Sequence, residues 1–154
     1  MEIIIRKAKP ADAEMLAHYN ALMAKETEQL MLDAERLLSG TKELFNRPEY
    51  GFYLVAETDK TIIGQLMITY EWSDWRNGIF WWIQSVYVVP EFRSQEVFKK
   101  LYEYVLTLAK ENASVCGLRL YVEKRNTTAH RVYEKLGMYT TDYDLYETDF
   151  VVRR

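Results

Sequence analysis

Two stretches of the chain hold residue types at spacings that could do chemistry. The first, "VYVVPEFRSQEVFKKLY" from Val86 to Tyr102, reads as a strand handing over to a helix through a short turn. A helix N-terminus presents unpaired N–H groups and about half a positive charge. The turn residues Arg93, Ser94, Gln95, Glu96, Val97 and Phe98 therefore make a place where a phosphate needs no dedicated basic side chain. Glu96 opposes this, because two unit charges about 4 Å apart repel by roughly 1 kcal/mol in water and roughly 4 at an effective dielectric of 20. Arg93, Lys99 and Lys100 keep the net local charge positive, so the expectation is weakened rather than abolished anion binding.

The second stretch, "YEWSDWRNGIFWWIQS", contains all four Trp of the chain, with Glu71, Asp74 and Arg76 among them. A carboxylate at a strand end can take a proton from an incoming ammonium, directly or through water, while Trp rings wall a pocket. Glu71 is thus the candidate base, and Trp72, Asp74 and Arg76 are the candidate substrate contacts. The same residues also read as a packed aromatic face or homodimer surface beside a solvated loop, since Trp is common in cores and interfaces. His18 and His130 sit among polar neighbours on helices and read as surface residues.

The elements that must position these residues follow from periodicity. "EIIIRKA" is an opening strand, and "PADAEMLAHYNALMAKE" is an amphipathic helix with Pro10 in its first turn. "DAERLLSGTKELFN" is a second helix capped by Asp33 and interrupted at Gly40. "GFYLVAET" and "TIIGQLMITYEW" form a hairpin through Asp59-Lys60, and "IFWWIQSVYVV" follows the Asn77-Gly78 turn as a third antiparallel strand. A helix from Gln95 to Asn112, the strand "GLRLYVE", and a short helix in "NTTAHRVYEKLG" come next, the last capped by Asn126 or Thr127 and closed by Gly137. "MYTTDYDLYETDF" closes as a Tyr-rich strand or strand pair. The result is an α+β fold with a mixed, mostly antiparallel central sheet flanked by helices.

Composition narrows the function. The 154 residues, 49% apolar and 28% charged, suit one domain spanning 1–154. A net charge of −3 with both signs interspersed argues against nucleic-acid binding, which needs a basic face. The lone Cys116 makes no internal disulfide, no Cys/His cluster has metal-ligand spacing, and no apolar run approaches the roughly 20 residues of a membrane span. A metal-free cytoplasmic protein acting on small molecules, with no membrane or nucleic-acid partner, is the expectation.

Four segments resemble the GNAT superfamily of acyl-CoA-dependent N-acetyltransferases: the strand–turn–helix at Val86, "LRLYVEKRNTTAHRVYEKLGM", "YLVAETDKTIIGQLMI", and the opening strand–helix unit. The resemblance covers almost the whole chain. It implies that Val86, Tyr87 and Val88 offer backbone groups to the pantetheine arm of acetyl-CoA, with one amide acting as oxyanion donor, and that the turn wraps the pyrophosphate. In the family's R/Q-x-x-G-x-G/A pattern Arg93 matches the leading residue, while Glu96 and Phe98 replace both small residues. Tyr133 falls where related enzymes carry the Tyr that protonates the leaving thiolate, and Asn126 where an Asn commonly bonds pantetheine or an ordered water. Tyr133 is also a residue of the helix's apolar stripe, and Asn126 also a helix cap. The implied activity is direct acetyl transfer from acetyl-CoA to a primary amine of a small molecule or peptide in a ternary complex. Cys116 gives no support for a covalent intermediate. The other reading is a GNAT-fold binding module that has lost turnover and uses its Trp-rich surface.

Overall fold

The computed structural model of the chain describes residues 2–94 and 96–152. Its contacts resolve into two compact units, Met1–Leu120 and Tyr121–Arg154. The first unit is built on a five-stranded sheet in the order β1-β2-β3-β4-β5, comprising Ile4–Lys7, Gly51–Thr58, Thr61–Ser73, Gly78–Val88 and Val115–Leu120. All neighbours are antiparallel except β4 and β5, which run parallel. Helices α1 (Ala13–Glu28) and α2 (Ala34–Asn46) precede β2, and α3 (Val97–Lys110) links β4 to β5.

Local chemistry sets these boundaries. Asp33 caps α2 by accepting a bond from the Arg36 amide at 3.1 Å. The β2–β3 hairpin turns on Asp59 and Lys60, both at positive φ (48° and 64°), the geometry that matches strand twist. Gly40 does not interrupt α2, which runs through it; an added Cβ there would meet nothing within 4 Å. Helical hydrogen bonding and the packing of Leu44 outweigh one glycine's entropic penalty.

The sheet is covered on both faces. On one lie α1 and α2, where Leu16, Tyr19 and Leu44 pack on Tyr53, Val55, Ile62 and Tyr87. On the other lies α3, close enough that a Cβ on Gly64 would come 2.9 Å from Val97 Cγ1 and 3.6 Å from Leu101 Cδ1. Burial of Val97, Leu101 and Val105 anchors that helix.

The second unit contains α4 (Thr127–Lys135), with Gly137 at φ 93° just beyond its end. The expected closing strand is not found among the described residues after α4. Asp142 and Asp144 alternate with Tyr143 and Leu145, but Tyr146 follows Leu145 directly and moves the apolar positions to the other face, while Asp itself is disfavoured in strands. Within the segment the Tyr143 amide donates to the Thr141 hydroxyl at 3.4 Å, and just past its end Asp149 Oδ1 accepts from the amides of Val151 and Val152, each at 2.8 Å.

Candidate active site

The sheet opens at β4. Gln65 opposes Tyr87 and Met67 opposes Gln84, so Leu66 faces both Ser85 and Val86: one extra residue has been inserted into β4. Ser85 takes φ 53° to accommodate it. Parallel pairing with β5 stops at Ile83–Leu120, just before this bulge. Residues 84–88 thus keep β3 on one side and, among the described residues, have no strand partner on the other. Val86, Tyr87 and Val88 lie on this segment. The Tyr87 ring is buried, stacks on Tyr19 at 5.2 Å, and its hydroxyl donates to Glu26 at 3.2 Å, so only its backbone faces the opening. Burial pushes the Tyr87 and Tyr19 phenols up, keeping both protonated.

Arg93 is a strut rather than an unengaged cation. Its Nε donates to the Val88 carbonyl at 2.8 Å, its guanidinium pairs with Glu26 at 2.9 Å, and it stacks over Tyr87 at 5.3 Å. These contacts tie the turn to β4 and α1. Ser94 (φ 70°) and Glu96 (φ 64°, ψ 18°) both adopt the left-handed region. Left-handed residues of this kind gather successive amides into an anion-binding concavity, and here they stand at the N-terminus of α3. Gln95, expected to contribute to the turn, lies outside the described residues. Glu96 keeps the backbone shape that a glycine would hold without strain. Its side chain is 68% exposed, with Lys99 Nζ 3.9 Å from Oε1. Backbone conformation, rather than the Glu96 side chain, sets the shape of the described part of the turn. Val97 is buried against Gly64, and the half-buried Phe98 ring lies 6.3 Å from Tyr102.

Beyond the bulge, the β-strand alternation divides the Trp-rich stretch between the two faces. On the α1 face, Glu71 Oε1 accepts from Arg119 at 2.7 Å and from the Trp82 indole at 3.1 Å. The Arg119 guanidinium stacks on Phe80 at 3.6 Å, Arg76 stands over the same ring at 4.8 Å, and Gln84 donates to Thr69 at 2.6 Å. Trp72 falls on the opposite face, paired with Ile79, on the side where Tyr70 and Phe52 meet Trp81. Asp74 caps the Trp75 amide at 2.9 Å in the loop, and Trp75 itself is 83% exposed. Of the candidate substrate residues, only Arg76 shares Glu71's side of the sheet. Arg119 lies 48 residues from Glu71 within "LRLYV", which reads as ordinary strand and carries no signal of this pairing.

In the second unit Asn126 Oδ1 accepts from the Ala129 amide at 3.1 Å, the N-cap role. Burial of the Tyr133 ring pushes its phenol up, so the hydroxyl holds its proton through neutral pH.

Comparison with known proteins gives the class. The chain is similar to a possible acetyltransferase from Clostridium difficile 630 at 42% identity and TM-score 0.89, covering 98% of this chain and 99% of that one. A predicted acetyltransferase from Clostridium acetobutylicum, solved with acetyl-CoA, matches at 20% identity and TM-score 0.79, with 96% of each chain covered. AAC(6')-Iy, in complex with the bisubstrate analog CoA-S-monomethyl-acetylneamine, matches at 17% identity and TM-score 0.77 over 97% of this chain and 99% of that one. No curated protein sequence matches. The molecule is an acyltransferase dependent on an acyl-CoA. The model of the acetyltransferase (GNAT) family matches residues 15–138, and the chain belongs to that family.

Proposed function

We propose that the protein transfers the acetyl group of acetyl-CoA to a primary amine by direct attack in a ternary complex. The observation that carries this reading is the bulge at Ser85–Val86, where β5 leaves β4 just before the left-handed turn at the start of α3. The thioester arm lies along residues 86–88 and the diphosphate against the amides around Ser94, Glu96, Val97 and Phe98. The amine nitrogen attacks the thioester carbon, charge gathers on the carbonyl oxygen opposite the Val86 amide, and the C–S bond breaks as the tetrahedral species collapses.

Glu71 faces the acceptor side with its charge balanced by Arg119, and takes up the ammonium proton directly or through water. Arg76 and Arg119 flank the same ring, so an acceptor carrying its own carboxylate suits this side at least as well as a simple cation. On the sequence resemblance, Tyr133 is the acid that protonates the departing thiolate and Asn126 a contact to pantetheine. The similar proteins solved with acetyl-CoA or a CoA bisubstrate analog support the choice of co-substrate.

The test is thiol release from acetyl-CoA across a panel of polyamines, amino acids, short peptides with free N-termini and aminoglycosides. Turnover with intersecting initial-velocity lines is expected. Parallel lines contradict direct attack, and absence of turnover with intact acetyl-CoA binding favours a binding module.

A further inference from the structure

Gln65 stands in the middle of β3 among Ile63, Leu66 and Ile68 and is 0% exposed. An apolar residue there would bury surface without penalty, whereas a buried amide is unfavourable unless its groups are bonded. Its Nε2 donates to Asn20 Oδ1 at 2.9 Å and to the Ser85 carbonyl at 3.2 Å. Asn20 in turn donates to the Tyr53 hydroxyl at 2.9 Å. The chain of bonds runs from β2 through α1 and β3 and ends on the bulge of β4. Gln65 Oε1 has no hydrogen-bond partner among the described residues, a penalty of about 1–3 kcal/mol for a buried carbonyl. A buried polar group of this kind calls for an explanation, and its bond to the Ser85 carbonyl at the bulge supplies one.

We propose that Gln65, held by Asn20 and Tyr53, is a positioning residue that fixes the Ser85–Val86 peptide with its N–H aimed at the acyl oxygen. The peptide is trans, so its C=O and N–H point in opposite directions. With the Ser85 carbonyl drawn toward the Gln65 side-chain amide, the Val86 N–H is directed away from that amide, on the segment of β4 that β5 has left. Ser85 is a non-glycine residue at φ 53°, and rotation of the Ser85–Val86 peptide would change its ψ and the φ of Val86 while leaving the Ser85 φ in place. Rotation would turn a carbonyl oxygen toward the developing oxyanion. The bond from Gln65 opposes it.

This inference rests on the reading that acetyl-CoA lies along β4, and the test separates the two. Gln65→Met preserves length and approximate volume while deleting both donated bonds. In thiol release with the best amine of the panel, or in acetyl-CoA hydrolysis, kcat should fall about 10²-fold, as for loss of one oxyanion donor. KM for acetyl-CoA and its calorimetric Kd should stay within about threefold of wild type, the signature of an interaction made only in the transition state. Backbone NMR supplies a second readout. The Val86 amide proton of wild type should move downfield with the methyl-ketone thioether analogue of acetyl-CoA and not with CoA, and the shift should be lost in Gln65→Met.

A variant that turns over like wild type, or loses affinity and rate in equal proportion, overturns the proposal. If the variant does not fold, the wild-type spectrum decides, and absence of a ketone-specific shift at Val86 refutes it. Wild-type thiol release without that shift sinks this inference alone, whereas absence of acetyl-CoA binding sinks the proposed function with it.

Discussion

Replacing Glu96 by Gly should both stabilise the fold and tighten acetyl-CoA binding. Glu96 sits at φ 64°, ψ 18°, where an L-residue is disfavoured by about 1–2 kcal/mol. Glycine occupies this region without strain but loses about 0.5–1 kcal/mol more conformational entropy on folding. The difference is a net gain of about 0.5–1 kcal/mol. For a chain of this size it raises Tm by about 1–4 °C without ligand. The side chain is 68% exposed and has Lys99 near it, so its repulsion of a diphosphate is that of a solvated charge. At about 8 Å in water, against two phosphate charges, that repulsion is about 1 kcal/mol, or roughly fivefold in Kd. Differential scanning calorimetry of the free protein and calorimetric titration with acetyl-CoA at low and high salt measure the two contributions separately. The affinity gain should shrink at high salt while the Tm gain persists. A lower Tm in the variant would refute the assignment of strain to this residue. Unchanged or weaker affinity at low salt would refute the placement of the diphosphate at this turn.

Tyr133→Phe keeps the ring and deletes the hydroxyl, and turnover should fall about 10²-fold in the thiol assay with acetyl-CoA affinity unchanged; equal activity would reduce Tyr133 to a packing residue. Gly40→Ala fills open space on α2 and should add about 0.5–1 kcal/mol in chemical denaturation. Asp12→Asn removes a carboxylate that receives two bonds from Arg6, at 2.8 and 3.2 Å, and one from the Lys9 amide at 2.7 Å. Chiefly through Arg6 the Asp12 carboxyl is held below its usual range. The stability it contributes is therefore present above about pH 4 and lost as pH falls below that. Wild type should accordingly melt several degrees above the variant at pH 7, and the gap should narrow toward pH 3.

Local features were legible in the sequence where the physics is local. The β2–β3 hairpin, the Asp33 cap and the Asn126 cap all follow from side chains acting on their own neighbourhood. The left-handed state of Glu96 was implicit in a motif position that small residues favour. Features that depend on pairing across distant segments were not legible. Glu71 and Trp72 are adjacent in sequence, yet alternation sends them to opposite faces, so the indole beside Glu71 is that of Trp82 and not Trp72. The partner of Glu71 is 48 residues away, and the bonds of Gln65 reach Asn20 across 45. One signal was available: a Gln within the apolar run "TIIGQLMI" breaks a pattern that a core strand would otherwise keep. The closing strand failed for the opposite reason, because Tyr content suggested β structure while the apolar positions switch faces at Leu145-Tyr146.

The most direct test of acyl-CoA binding at the opened sheet is hydrogen–deuterium exchange of the wild-type protein with and without saturating acetyl-CoA. Protection is predicted in the peptides spanning residues 84–88 and the turn leading into α3, with the exposed loop at residues 74–77 unaffected. Protection confined to that loop and the neighbouring aromatic face, or no change at the β4 bulge, would contradict it.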